Sequence, residues 1–199
     1  VVIVRDSSIV FLKGFGLKQS GTTDSVDVNS VFRLGSVSKC FAAVLTGTLV
    51  RDQQMSWDDK VTRFVPEFQL KERENTDSLR IRHVLSHTIG LPYHAYTSMV
   101  EDGVPLDTLL IHLKDLDLIG LPGNVYSYQN VGYSLIEKVI QSATGKSYEE
   151  SLTEKLFQPL HMRHASASYT GIMGNANVAQ PHFHTRRGWR TTRISDTYY

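Results

Sequence analysis

Val31-Phe32-Arg33-Leu34-Gly35-Ser36-Val37-Ser38-Lys39, continued by the apolar run from Cys40 to Val50, is the stretch on which the fold turns. It reads as a short strand, a turn and a buried helix. Gly35 supplies the freedom to turn. Ser36 then falls at the first position of a helix, where unpaired N–H groups and the positive end of the dipole favour developing negative charge. Lys39 follows three residues later on the same helix face, so its amine can lie beside the Ser36 hydroxyl. The helix that carries this S-x-x-K pair sets Phe41, Val44, Leu45, Leu49 and Val50 among the small Ala42, Ala43 and Gly47. A helix apolar on most sides is expected to be enclosed by other elements. Cys40, the only cysteine, is expected to be a small core residue within it. Alone, S-x-x-K is a weak signal: a chain of this length shows roughly one by chance, and a serine cap followed by a solvated lysine explains an isolated match.

The 199 residues suffice for one domain, or for two subdomains around a shared cleft. An apolar fraction of 41%, a charged fraction of 21% and a net charge of +1 are those of an ordinary globular protein. They give no electrostatic reason to expect a nucleic-acid partner. One cysteine excludes an internal disulfide. No apolar run approaches the eighteen or so residues of a transmembrane helix, and neither an initiating Met nor a charged leader precedes Val1-Val2-Ile3-Val4. The expectation is a mature or excised segment.

Along the chain, Val1 to Arg5 and Ile9 to Leu17, separated by Asp6-Ser7-Ser8, predict a β-hairpin. Lys18 to Ser30 reads as a loop. Ser56-Trp57-Asp58-Asp59 offers a cap and an acidic first turn for a short helix stopped by Pro66, and Lys71 to Asp77 reads as a solvated loop. Ile81 to His87 predicts a short amphipathic helix closed by Gly90 and Pro92, and Pro105 to Leu116 a further helix. Leu121 to Asn124 is a turn. Asn130 to Thr144 is a helix ended by Gly145, and Ser147-Tyr148-Glu149-Glu150 is a capping box for another that stops before Pro159. Past Arg163 the pattern degrades, and Val178 to Arg193 predicts a polar hairpin. The sheet is short of strands, since a lone hairpin is marginal.

A second constellation lies at Tyr126-Ser127-Tyr128-Gln129-Asn130, where an extended backbone points Tyr128 and Asn130 to one side. A phenol can shuttle a proton if a nearby cation lowers its ordinary value near 10, and Lys39 would be that cation. The Asn130 amide would hold Lys39 or a substrate carbonyl. An aromatic packed at a helix start with an Asn cap explains the same residues without chemistry. Other motifs carry less. His83 and His87 have zinc-helix spacing, but Val84 stands where H-E-x-x-H needs Glu. Gly145-Lys146-Ser147 lacks the earlier glycine of a phosphate loop, which would be Ile140. Arg186, Arg187, Arg190 and Arg193 with Trp189 form too small a basic cluster for a nucleic-acid surface.

Ser36-Val37-Ser38-Lys39, then Val84-Leu85-Ser86-His87-Thr88-Ile89-Gly90-Leu91-Pro92, then Pro122-Gly123 to Tyr128-Gln129-Asn130, in this order, resemble the class C β-lactamase and penicillin-binding-protein-like serine hydrolases. The resemblance runs from the first hairpin through Leu160-His161-Met162. It implies an α/β (α+β) β-lactamase/transpeptidase-like fold: an antiparallel sheet packed on a central helix, with a mostly helical subdomain over about residues 55–165, in one domain spanning 1–199. It implies Ser36 as nucleophile, Lys39 as its activator, Tyr128 as proton relay and Asn130 as a contact to Lys39 and substrate. His87-Thr88-Ile89-Gly90 looks like a structural signature, with His87 not catalytic. The substrate class is a small molecule or a peptidoglycan-like peptide, no cofactor or metal is required, and a periplasmic or secreted location follows; oligomeric state is left open. The family's third element, Lys-Thr-Gly or His-x-Gly on a late strand, does not occur in residues 1–199. The expectation is therefore a polypeptide shorter than the full family domain, with late sheet strands missing. A catalytically inactive binding or interaction module of the same fold is the competing reading.

Overall fold

In the computed structural model, which describes residues 1–194, the chain begins with the expected hairpin. Strands β1 (Val2–Arg5) and β2 (Ser8–Leu12) pair antiparallel, with a register shift between Ile3 and Val4. Asp6 makes the turn at φ 55°, a conformation that Asp tolerates better than most residues. The second strand stops at Leu12, short of the expected Leu17, because Gly14 and Gly16 follow. Every residue of both strands is exposed.

The described chain divides into two compact units. The first contains residues 1–36 and 161–194. Within it Val31 forms only a single parallel bridge to Val178, where a strand was expected. Two backbone bonds, Val31 N–H to Asn177 O and Ala179 N–H to Val31 O, fill the available pairing. Lys18 is buried with its ammonium on Asn177 Oδ1 and Asp24 Oδ1, both at 2.9 Å. The late polar hairpin forms as expected, from β3 (His182–Thr185) and β4 (Gly188–Thr191).

The second unit spans residues 37–160 and is helical. Its helices are α1 (Lys39–Arg51), α2 (Arg73–Ser78), α3 (Ile81–Leu85), α4 (Thr97–Glu101), α5 (Leu106–His112), α6 (Val131–Thr144) and α7 (Tyr148–Leu152), the last running into one π turn at Thr153–Phe157. A short eighth helix, α8 (Tyr169–Met173), belongs to the first unit. Residues 71–77, expected as loop, contribute most of α2. The Thr76 hydroxyl holds that turn from inside, donating to Leu70 O and accepting from Leu70 N–H at 2.9 Å. Ser56 caps no helix; the short helix expected after it is a single 3-10 turn, Val61–Arg63.

α6 is the core of this unit. Val131, Leu135, Ile136, Val139 and Ile140 recur three to four residues apart, so they line one stripe, and all are buried. That stripe meets α3, α5 and α7, and Gly145 ends the helix at φ 69°. The Ser147–Glu150 capping box forms in both directions, at 3.1 and 2.8 Å. α1 departs from expectation. Only Ala42, Leu45, Thr46 and Leu49 are buried on it, while Val44 is 56% exposed and Cys40 is exposed rather than a core residue. Among the described residues α1 therefore has one covered face, not an enclosed circumference.

Candidate active site

Lys39 is the first residue of α1, preceded directly by a 3-10 turn, Gly35–Ser38, that carries exposed Ser36. Ser36 thus sits on a 3-10 turn rather than in the α-helix proper. Gly35 takes φ 54°, which supplies the turn into it.

The other residues come from the chain entering α6. From Tyr126 to Asn130 burial alternates, with Ser127 and Gln129 inside and Tyr126, Tyr128 and Asn130 turned the other way. This is the extended, period-two geometry expected from the sequence. Backbone bonds lash the segment to the turn after α3: Ser127 N–H donates to His87 O at 2.8 Å, His94 N–H to Tyr128 O at 3.0 Å, and Gly123 N–H to Thr88 O at 2.7 Å.

The two segments meet at Lys39. Its ammonium donates to Asn130 Oδ1 at 2.9 Å, although the residues are 91 positions apart. The same Nζ lies 5.0 Å from the centre of the Tyr128 ring and 5.6 Å from that of Tyr133, within cation–π range of both. Asn130 occupies the N-cap position of α6, but its side chain makes no cap bond. Its amide oxygen is committed to the lysine instead, which separates the chemical reading of Asn130 from the capping one. The structure thus brings Lys39, Tyr128 and Asn130 together.

Two further residues join this cluster: Tyr133, which no sequence pattern singled out, and His87, which the sequence marks as part of a structural signature. Tyr133 donates its hydroxyl to the Lys39 carbonyl at 2.7 Å, pinning the start of α1 to α6. Burial, assisted by the neighbouring Cys40 thiol and Tyr128 phenol, pushes its pKa up to about 12, so it remains a proton donor. The available signal was its position three residues after Asn130, which puts both on one face of α6. His87, buried, brings its ring centre within 4.4 Å of Tyr128 and 5.0 Å of Tyr133. Burial, and then the Lys39 charge, holds its pKa below the ordinary histidine value. Among the described residues no group of three or more His, Cys, Asp or Glu side chains is placed to hold a metal ion, and no helix is long and apolar enough to cross a membrane.

Comparison with known proteins agrees with this architecture. The family model described as Beta-lactamase matches residues 1–196. Penicillin-binding protein 4 of Amycolatopsis lactamdurans is 30% identical over 148 residues, covering 73% of this chain and 38% of that protein. Protein flp of Staphylococcus aureus (strain NCTC 8325 / PS 47) is 24% identical over 172 residues, covering 85% of this chain and 34% of its own length. The octameric penicillin-binding protein homologue from Pyrococcus abyssi superposes with a TM-score of 0.83 at 25% identity, covering 98% of this chain and 47% of that one. The chain therefore spans 34–38% of the length of these curated relatives and 47% of the solved chain. Its fold is the mixed α/β, β-lactamase/transpeptidase-like one. The match from residue 1 to residue 196 settles the assignment: this chain belongs to the β-lactamase family.

Proposed function

We propose that the chain carries the nucleophile and proton-relay part of a serine acyl-transfer site that hydrolyses an ester, an amide or a β-lactam. The observation that carries this reading is the Lys39 ammonium bonded to Asn130 at 2.9 Å and lying 5.0 Å from the Tyr128 ring centre. An amine, an amide and a phenol from two distant segments converge there, and such convergence is what general-base activation of a hydroxyl needs. Ser36 is the nucleophile in this reading. What supports it is its position three residues before Lys39 on a helical turn, where residues i and i+3 eclipse.

In the first step the Ser36 proton passes to the Tyr128 oxygen, whose ionised form the adjacent Lys39 ammonium favours, as the Ser36 hydroxyl oxygen attacks the carbonyl carbon. The Ser36 N–H helps to hold the resulting oxyanion. Collapse of the tetrahedral intermediate expels the alcohol, amine or lactam nitrogen, which takes up the proton. Water then attacks the acyl-serine ester by the same relay and releases the acid. A periplasmic or secreted location accompanies this reading.

The test is intact-mass spectrometry of the full-length gene product after exposure to a fluorophosphonate or a penicillin. One adduct per chain, lost in Ser36→Ala, is the expected result. A folded protein that gains no mass, or a Ser36→Ala variant that labels equally well, removes the hydrolase reading. Reversible penicillin binding without a mass change would instead identify a binding module.

A further inference from the structure

We propose that His87 is a positioning residue: its imidazole Nδ1 accepts the Gln129 N–H and so fixes the flanking Tyr128 and Asn130 against Lys39. The inference rests on the reading of Tyr128 and Asn130 as site residues.

The backbone first marks His87 out. α3 ends at Leu85, and the left-handed residue after it is His87, at φ 58°. Glycine or asparagine usually fills such a position, because a Cβ there meets backbone. Both the ring and the carbonyl of His87 are engaged. Gln129 N–H donates to His87 Nδ1 at 3.2 Å across 42 positions of sequence, and Ser127 N–H donates to the His87 carbonyl at 2.8 Å. The ring lies against Tyr128 and Tyr133, with Tyr126 edge-on at 6.0 Å.

The bond to Gln129 determines the protonation state. An acceptor at Nδ1 requires the neutral ring with its proton on Nε2. The groups that face the ring are Lys39 from α1, Tyr126 and Tyr128 from the extended segment, and Tyr133 from α6. Burial and the nearby Lys39 ammonium both favour the uncharged form of the ring. Protonation would set one N–H against another at a residue only 1% exposed, leaving the Gln129 N–H without its acceptor. The segment has little to spare: among the described residues the Ser127 hydroxyl and both polar atoms of the Gln129 amide already have no hydrogen-bond partner. Bonds from backbone N–H groups therefore hold the segment of Tyr128 and Asn130 in place, and His87 accepts two of them, one on its ring and one on its carbonyl.

Two substitutions separate positioning from packing. His87→Asn keeps an acceptor on the δ atom and tolerates a positive φ, but removes the ring. His87→Gly tolerates the same φ and removes both. Positioning predicts that the rate of Ser36 labelling by fluorophosphonate stays within about threefold in His87→Asn and falls about ten- to hundredfold in His87→Gly. The acid limb of the wild-type labelling profile should vanish in His87→Asn. A packing role predicts that both variants are impaired alike, which would overturn the proposal. A second readout needs no activity: ¹⁵N NMR of the wild-type imidazole should show the Nε2–H tautomer, and the Asn130 side-chain amide resonance should move in His87→Gly and return in His87→Asn. A protonated or Nδ1–H ring at pH 7, or an Asn130 resonance unmoved in His87→Gly, refutes it. If Ser36 never labels, the hydrolase reading fails, and the NMR results decide the role of His87 by themselves.

Discussion

Replacing Gly90 by alanine tests the join between the turn after α3 and the chain that leads to α6. Gly90 sits at φ +97°, outside the region that L-residues occupy, and an added Cβ would lie 2.1 Å from the Gly120 carbonyl oxygen and 3.2 Å from its carbon. The dihedral strain alone costs about 1–3 kcal/mol. The clash is with backbone, so it cannot be relieved by rotating a side chain. Gly120 is held close by the Ile119 N–H bond to Gly90 O at 2.8 Å, and the Gly123 N–H bond to Thr88 O at 2.7 Å anchors the next turn. Moving Gly120 away loosens one or both, at about 1 kcal/mol each. The sum is a loss of about 3 kcal/mol or more. Urea unfolding followed by circular dichroism would register it as a midpoint lowered by about 1.5 M, for a slope near 2 kcal/mol/M. Gly145 is the control. Its φ is +69°, but nothing lies within 4 Å of an added Cβ, so Gly145→Ala should cost only about 1 kcal/mol. Equal losses in the two variants, or a Gly90→Ala loss below about 1 kcal/mol, would refute the argument that the Gly120 carbonyl excludes a side chain.

Asn130→Ala removes the acceptor of a charge-assisted hydrogen bond worth about 1.5–3 kcal/mol, and the rate of Ser36 labelling by fluorophosphonate should fall about ten- to hundredfold with the fold intact. Ser147→Ala should lower stability by about 1 kcal/mol in the same urea assay, because it breaks a capping bond made at 3.1 Å. Stability should also fall as the pH drops below about 6.5. His83 and His87 are both held below that value, chiefly by burial, so the unfolded chain takes up protons that the native one resists. Their contribution is full above the unfolded value and is lost as the pH falls through the folded values. Glu137, raised by burial, acts with the opposite sign just above its ordinary 4.5, so melting temperatures measured at the upper end of the window report the histidines.

Sequence alone determined the features whose causes are local. Gly145 ends α6 because glycine takes the left-handed conformation that closes this helix at little cost, and the Ser147 box opens α7 because its partners lie three residues apart. The S-x-x-K and Y-x-N patterns were legible for the same reason, each being a short-range spacing on one helix or strand face. The helices at 73–78, 97–101 and 169–173 were not legible, since five or six residues carry too little periodicity to announce themselves. Burial was not legible either: Cys40 and Val44 are apolar by type but exposed, because a helix face is buried only where another element covers it. What only the tertiary structure decided is the meeting of Lys39 with Asn130 and of His87 with Gln129, across 91 and 42 positions. Contacts at such separations depend on how α1, α3 and α6 pack, and no local spacing encodes that packing.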